Sequence, residues 1–349
     1  MRRWIRGALA LCLCLALLTG CAVREAPSEP VLDTGPTAIP EGTAERSSGV
    51  GFYFDTVVTV TLYGAPEGLT AQIWAACERY ENLLSKTVEG SDVQRINASH
   101  GEPVTVDPET WAILRRAKEI SELTGGAFSV TIAPLSAQWD FTGGTHRMPT
   151  DEERLAALPL VNDALLTLGE NNTVTLPEGM EIDLGGIAKG YIADQVADMI
   201  RGKVHGATLS FGGNVYAIGL KPDGTAFNLG IQDPAGATGS SIAVVQTTDT
   251  SLVTSGIYER YFMVGDTRYH HILDPQTGLP SDSDLASASI LSASSMDADA
   301  LATACIVLGL DRAKALLEEL GCDGVFIRRD GALSTTEGFA EKHPFQVLQ

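Results

Sequence analysis

Residues 269–278 read Tyr-His-His-Ile-Leu-Asp-Pro-Gln-Thr-Gly, and a chain that contains them has to stop and turn there. Asp274-Pro275 followed by Thr277-Gly278 is tight-turn chemistry, because proline presets one backbone angle and glycine accepts a left-handed one. The turn ends a short strand expected over Arg268–Leu273 and sets two imidazoles, a carboxylate and a hydroxyl at its edge. An ordinary strand-and-turn with a solvated histidine pair would look the same. Three more polar, glycine-rich stretches favour a shared site.

Asp183-Leu-Gly-Gly-Ile-Ala-Lys-Gly190 falls at an expected strand-to-helix junction. Glycines there let backbone groups approach a ligand, and a helix N-terminus attracts phosphate. Lys189 adds a cation, but the spacing is not that of a P-loop. Thr124-Gly-Gly-Ala-Phe-Ser-Val-Thr-Ile-Ala-Pro-Leu135 is expected to leave a helix for an extended segment. There Ala127, Phe128 and Ser129 could offer backbone groups and an aromatic face to a planar ring, or simply cap the helix with Phe128 in the core. Ser210-Phe-Gly-Gly-Asn214 is a close-approach turn after a strand. Met296-Asp-Ala-Asp-Ala-Leu-Ala-Thr303 opens a helix on which Asp299 and Thr303, four apart, share a face. One carboxylate and one hydroxyl, completed by phosphate oxygens, suit Mg2+. Helix capping by Asp297 or Asp299, with Thr303 bonded back to its own helix, is the plain structural alternative.

The net charge of −20 argues against nucleic acid and anionic membrane as partners. Any anionic ligand then needs a local metal or cation. Arg2, Arg3 and Arg6 precede an apolar run, Ala8–Leu18, too short to span a bilayer, which is the pattern of an export signal. It ends in Leu18-Thr19-Gly20-Cys21, which resembles the lipobox of bacterial lipoproteins; that resemblance implies lipidation of Cys21. Residues 1–20 are thus expected to be a signal peptide. Residues 21–48, with Pro27, Pro30, Pro36 and Pro40, read as a tether reaching about 30 Å on average, and 49–349 as the folded domain. Cys77, Cys305 and Cys322 are too few and too scattered for a disulfide framework or a zinc site, and read as core residues.

Val50–Tyr63 alternates like one strand, and Leu69–Ser85 has helical spacing. Asp107-Pro108 starts a helix that ends near Gly125-Gly126, and Thr150-Asp-Glu-Glu153 is a capping box. Further strands are expected at 207–211, 215–220, 228–231 and 242–247, helices at about 186–201, 297–308 and 312–320, and a closing hairpin at Asp330-Gly331. Helices and strands are mixed without strict alternation, which predicts an α+β fold or two mixed α/β lobes.

Taken together, these stretches resemble the ApbE family of FAD:protein FMN transferases. The resemblance rests on Thr254-Ser-Gly-Ile-Tyr-Glu-Arg260, His271-Ile-Leu-Asp-Pro-Gln-Thr-Gly278-x-Pro280, Asp183–Gly190, Gly212-Gly-Asn214 and the Asp299/Thr303 helix, in that family's order. Glu81–Asn97, with Ser91 and Arg95-Ile96-Asn97, and Gly125–Leu135 extend it over roughly residues 50–340. It implies FAD bound between two lobes, with contacts from Phe54, Ala127, Phe128, Ser129, Asp183, Lys189 and Ile272. It also implies Mg2+ on the carbonyl of Gly186, on Asp299 and on Thr303. Departures exist. Phe54-Asp55-Thr56 stands where Met-Gly-Thr is common, Ser129 where Asp is frequent, and Ala302 where some members carry another metal-binding Asp. A flavin-side aromatic that some members place near Thr87 is missing.

The reaction implied is attack by a threonine hydroxyl of a target protein on the FMN-side phosphorus of FAD, releasing AMP. His271 is the expected general base, with an ordinary pKa of about 6.5, and Asp274 either orients it or holds the turn. The same site with water as nucleophile would be an FAD pyrophosphatase giving FMN and AMP. A lipid-anchored flavin- or solute-binding protein without chemistry is the reading from another class. The acceptor expected is a flavoprotein of a membrane or extracellular redox system. The enzyme is expected on the extracytoplasmic face of a bacterial membrane, with no nucleic-acid partner.

Overall fold

The computed structural model describes residues 45–141, 144–237 and 239–348. The leader, Cys21 and nearly all of the expected tether lie outside them. The described chain opens with strands β1 (Arg46–Tyr53) and β2 (Thr56–Tyr63) and helices α1 (Leu69–Leu84) and α2 (Asp92–Asn97). Then follow β3 (Val104–Thr105), α3 (Pro108–Leu123), α4 (Ala133–Ser136), α5 (Asp151–Ala157), β4 (Thr167–Leu168), β5 (Thr173–Thr175) and α6 (Ala188–Ile200). A run of strands comes next: β6 (Gly206–Phe211), β7 (Asn214–Gly219), β8 (Phe227–Gln232), β9 (Ser241–Thr247), β10 (Thr250–Gly256), β11 (Tyr261–Val264), β12 (Thr267–His270) and β13 (Leu285–Ser292). The end is α7 (Ser295–Leu308), α8 (Leu310–Leu320), β14 (Asp323–Arg328), β15 (Leu333–Thr335), α9 (Phe339–Lys342) and β16 (Phe345–Val347).

One sheet, in the order β1-β2-β6-β7-β10-β13-β14-β15, organises the protein, and all its pairs are antiparallel. Alternation sends Val58, Val60 and Leu62 of β2, with Leu209 and Phe211 of β6, into the core that also holds Ile73, Cys77, Ile192, Val196 and Leu301 from α1, α6 and α7. A second core holds Ala217, Leu252, Leu291, Val325 and Ile327 against Leu229, Ile231, Ala243 and Val245 of the small sheet β16-β9-β8. A third cluster, Leu135, Trp139, Ala157, Phe262 and Leu273, stands apart from both. The expected α+β architecture is what the chain builds, as a large sheet-centred body and a small aromatic lobe. No described helix is long and apolar enough to cross a membrane.

Most local signals fold as their chemistry dictates. Asp107 caps α3 by accepting from the Glu109 N–H at 2.9 Å, with Pro108 at its first turn. Thr150 and Glu153 form the full capping box of α5. Gly125 and Gly126, at φ 61° and 80°, turn the chain out of α3. Cys77 and Cys305 are buried free thiols and Cys322 is half-buried, and burial raises all three thiol pKa values.

Five expectations need correction. The strand before the Asp274 turn is β12, Thr267–His270, and does not run to Leu273, which makes an isolated bridge to Pro280. Val50–Tyr63 is not one strand but part of the β1–β2 hairpin, turned at Phe54-Asp55. The tether cannot run to residue 48, because Arg46–Ser48 already pair with Thr61–Tyr63 in β1. The segment after Gly126 is extended only at Ser129; residues 130–136 then wind into short helical turns. Helix α7 is capped by Ser294, which accepts from the Asp297 N–H at 3.1 Å, and not by Asp297 or Asp299. That frees both carboxylates: Asp297 pairs with Arg116 at 2.8 Å, and Asp299 turns toward α6.

Helices α6 and α7 meet at Gly190, where a methyl group would land inside the Ser295 carbonyl and against Met296 Cα. Backbone cannot swing aside as a flexible side chain would. Gly190→Ala is therefore expected to lower unfolding free energy by about 1–3 kcal/mol, the usual range for overpacking. Urea unfolding of the two proteins measures this, and unchanged stability would refute the close contact.

Candidate active site

Asp299 lies in the first half of α7, 2% exposed. Its carboxylate accepts from the Gly190 N–H at 3.0 Å and from Lys189 Nζ at 3.1 and 3.2 Å. Lys189 also donates to the Gly185 carbonyl at 2.7 Å. A buried carboxylate is costly unless paired and hydrogen-bonded, and here the first turn of α6 supplies both. One turn further along α7, Thr303 Oγ1 reaches the Asp299 carbonyl and Ser255 Oγ, each at 3.3 Å. Gly186 lies beside it, since a methyl group there would stand 3.6 Å from Thr303 Oγ1. The Asp299 carboxylate, two hydroxyls and neighbouring backbone carbonyls are hard oxygen donors, which fit Mg2+ in kind. Among the described residues no cluster of three or more His, Cys, Asp or Glu side chains stands ready for a metal. Such a cation would thus depend on ligand oxygens to complete its shell.

The loop before α6 is fixed from two sides. Asn97 clamps Ile182 in both directions, its amide donating to the Ile182 carbonyl at 3.0 Å and its oxygen accepting the Ile182 N–H at 2.8 Å. Asp183 then accepts from the Gly185 N–H at 2.8 Å and pairs with Lys86 at 2.6 Å. Ser129 donates to Asp163 at 2.7 Å. The buried Asp163 also takes the N–H groups of Val130 and Thr131, so it pins Ala127–Ser129 from behind.

His271 follows β12 and is half-buried. Its Nδ1 lies 3.3 Å from the Arg260 carbonyl. A carbonyl only accepts, so that bond requires Nδ1–H and leaves the Nε2 lone pair for a proton. Burial first, then the charge of Arg260, push its pKa down to about 3, not the ordinary 6.5 expected of it. Asp274 does not orient the ring. It accepts from the Gln276 N–H at 2.9 Å and holds the turn. His270 is buried; its Nε2 lies 3.1 Å from the Ser281 carbonyl, its Nδ1 has no partner, and its pKa falls to about 4, chiefly through burial.

Asp299, Thr303, Lys189, Asp183, Lys86 and His271 line one cleft of about 480 Å3, within the range of small-molecule sites; Asn97, Asp163, His270 and Asp274 do not line it. Phe54, Ala127, Phe128, Ser129, Asp183, Gly186, Lys189, His271, Ile272, Asp299 and Thr303, expected from separate stretches, all fall on its wall. Cys21 lies outside the described residues. The aromatic cluster reaches the same cleft through Trp139, Phe141 and Leu273. Trp139 and Phe141 stack at 5.5 Å with planes 11° apart. The sequence reading passed over Trp139, Phe141, Lys86 and Ser255, and gave Arg260 no role. The signal was present, since a cation at 86 and two aromatics at 139–141 are unusual in a chain this acidic and this poor in aromatics.

Comparison with known proteins follows the same residues. The ApbE family model matches residues 54–326. The FAD:protein FMN transferase of Treponema pallidum (strain Nichols) is 36% identical over 289 residues, which are 78% of this chain and 80% of that protein. The enzyme of the same name from Klebsiella pneumoniae (strain 342) is 35% identical over 80% of this chain and 89% of its own. The crystal structure of the ApbE protein from Thermotoga maritima superposes with a TM-score of 0.79 at 33% identity, covering 85% of this chain and 99% of that one. Flavin transferase ApbE from Vibrio cholerae gives 0.77 at 29% identity, covering 85% and 99%.

His271 at the cleft and the buried His270 beside it are held neutral in the fold and charge freely once unfolded. Their stabilisation is complete above about pH 6.5 and is lost as pH falls toward their depressed folded values. Asp194 works the other way, because burial raises its pKa to about 6, and its stabilisation is lost as pH rises. Glu259 acts in the same sense as Asp194, since burial raises its pKa too, but the larger shifts of the two histidines outweigh both, and stability should fall between pH 7.5 and 5.0. His270→Gln should shrink that fall by about 2 kcal/mol, as read by urea unfolding at both pH values.

Proposed function

This chain belongs to the ApbE family, and from that premise we propose that it transfers FMN from FAD to a threonine hydroxyl of an acceptor protein, releasing AMP, with Mg2+ as cofactor. One observation carries the reading. Eleven residues drawn from separate stretches of sequence converge on one cleft that contains a proton acceptor, hard oxygen donors and cations.

The reaction asks a neutral hydroxyl to approach a doubly charged diphosphate. Lys189 and Lys86 bring positive charge to the wall of a cleft whose parent chain carries −20. The Nε2 lone pair of His271, fixed by its Nδ1–H bond to the Arg260 carbonyl, accepts the proton of the attacking hydroxyl. A low intrinsic pKa keeps the imidazole unprotonated at neutral pH, and the approach of the diphosphate's negative charge raises its basicity when it is needed. Phe54, Phe128 and Ile272 offer apolar surface to the flavin, and the backbone of Ala127–Ser129 offers it hydrogen bonds. Asp183, held in its Asx turn, and Gly185 line the same cleft. Asp299, Thr303 and the Gly186 carbonyl would hold Mg2+, which when bound neutralises and orients diphosphate oxygens.

The acceptor fits a redox protein at a membrane surface, because we read Cys21 as a lipidation site and the first twenty residues as an export signal. The folded part would then stand on the extracytoplasmic face of a bacterial membrane. The soluble part from residue 45, incubated with FAD, Mg2+ and a candidate acceptor, is expected to leave in-gel flavin fluorescence on the denatured acceptor with equimolar AMP. AMP without labelled protein would mean a pyrophosphatase. FAD bound but intact would mean a binding protein. His271→Ala should keep FAD bound and lose transfer by about 10^2–10^4-fold. In a bacterial host, Cys21→Ser should move the full chain out of the membrane pellet, and an unchanged distribution would refute the anchor.

A further inference from the structure

Of the charged side chains on the cleft wall, two lysines are already committed. Lys86 is bound to Asp183 at 2.6 Å and Lys189 to Asp299 at 3.1 Å. Arg260 is different. It also lines the cleft, is exposed, and forms no ion pair within 4 Å among the described residues. Among the described residues its guanidinium has one polar contact, a long 3.4 Å approach to the Asp55 carbonyl at the tip of the β1–β2 hairpin. Its own carbonyl accepts from the His271 N–H at 3.0 Å and holds the His271 ring at 3.3 Å. The residue that orients the imidazole therefore hangs an uncommitted guanidinium beside it. Arg260 and Lys189 are the cations close enough to disfavour charge on His271. Glu259, the neighbouring carboxylate on the same wall, feels the Arg260 charge, which offsets part of the rise that burial gives its pKa, but the two make no ion pair within 4 Å among the described residues.

A planar fork with several N–H donors matches the oxygens of a phosphoryl group better than a lysine does. A charge not already spent on a protein carboxylate is free to follow one that develops on the ligand. Resting on the transferase reading, we propose that Arg260 is a further catalytic residue, whose guanidinium binds the non-bridging oxygens of the transferring FMN-side phosphoryl group. In that step the threonine Oγ–P bond forms and the bond from that phosphorus to the bridging oxygen breaks. AMP leaves with the bridging oxygen and its electron pair, and the hydroxyl proton passes to His271 Nε2. Arg260 stabilises the charge spread over the phosphoryl oxygens between those two events.

Two substitutions in the enzyme with FAD, Mg2+ and acceptor test this. Arg260→Gln should slow single-turnover transfer by about 10^2–10^3-fold, the usual loss for one such donor, while FAD affinity changes less than tenfold. Removing the charge next to His271 should also move the acid limb of the rate–pH profile to higher pH, a shift that a merely structural residue would not cause. Arg260→Lys should restore the acid limb but recover the rate only in part. Transfer at the wild-type rate with an unmoved acid limb in Arg260→Gln overturns the proposal. So does a variant whose whole loss is in FAD affinity, since that would make Arg260 an ordinary binding group. A wild-type protein that neither labels the acceptor nor releases AMP overturns the transferase reading itself, and the proposal with it.

Discussion

The site depends on how closely α6 and α7 approach. Without a side chain at Gly190, the first turn of α6 lies against the N-terminal turn of α7, and only at that separation can one N–H and one lysine reach Asp299. The same crossing is held at the next turn of α6 by Asp194, whose carboxylate accepts the Ser295 and Met296 N–H groups at 2.8 and 3.0 Å. These are donors that a helix start leaves unsatisfied, and a carboxylate there is also favoured by the helix dipole. Two carboxylates, one from each helix, thus interlock the pair. Packing and site chemistry use the same atoms, so a change that relaxes the crossing also displaces the donors in the cleft.

A chain with this negative charge must bind a diphosphate without being unfolded by its own cations or repelled by its own anions. The solution visible in the cleft is to pair Lys86 and Lys189 with carboxylates that are themselves fixed by backbone N–H groups. Paired charges cost less to hold in a half-buried wall than free ones. They also limit how much field those lysines can offer a ligand. That trade leaves Arg260 as the side chain able to respond to a new negative charge, and it explains why the residue beside His271 matters more than its exposure suggests.

Legibility followed burial pattern. Elements with one wet face were read well, such as α1 from its spacing of Leu69, Ile73, Cys77, Tyr80 and Leu84, and β6 and β9 from alternation. Two interior strands, β10 and β13, were not read. In β13, Leu-Ala-Ser-Ala-Ser-Ile-Leu-Ser is buried at every position but the last. A strand covered on both faces has no reason to alternate. Its serines look like loop residues, yet Ser289 and Thr254 bond across β13 and β10 at 2.7 Å, a pairing that sequence spacing does not announce. The site was legible because its glycines and charges sit where elements end. The ion pairs that fix it, Lys86–Asp183 and Lys189–Asp299, span 97 and 110 residues, and only the fold can bring them together.

The hairpin tip shows what a departure from a family pattern does physically. Phe54 and Asp55 both carry positive φ, 57° and 55°, the signature of a type I′ turn, which matches the twist of paired strands. Asparagine and glycine suit such turns, and aspartate tolerates them, but a phenylalanine there is strained by roughly 1–3 kcal/mol. Something must hold it. The Phe54 N–H is gripped by Glu81 at 2.8 Å, Tyr53 stacks on Trp74 at 5.9 Å, and Thr56 packs where Gly212 has no side chain. The neighbouring β6–β7 turn also has positive φ at both central residues, Gly212 and Gly213. Its glycines let it lie under the first hairpin. The strain at this tip falls on the cleft wall, where it carries Phe54 into the lining and sets the Asp55 carbonyl within reach of Arg260. An aspartate where the family commonly has glycine keeps that backbone shape and adds a carboxylate to the cleft mouth. The tip can therefore diverge in sequence while the contact it makes, through a main-chain carbonyl, stays available to Arg260.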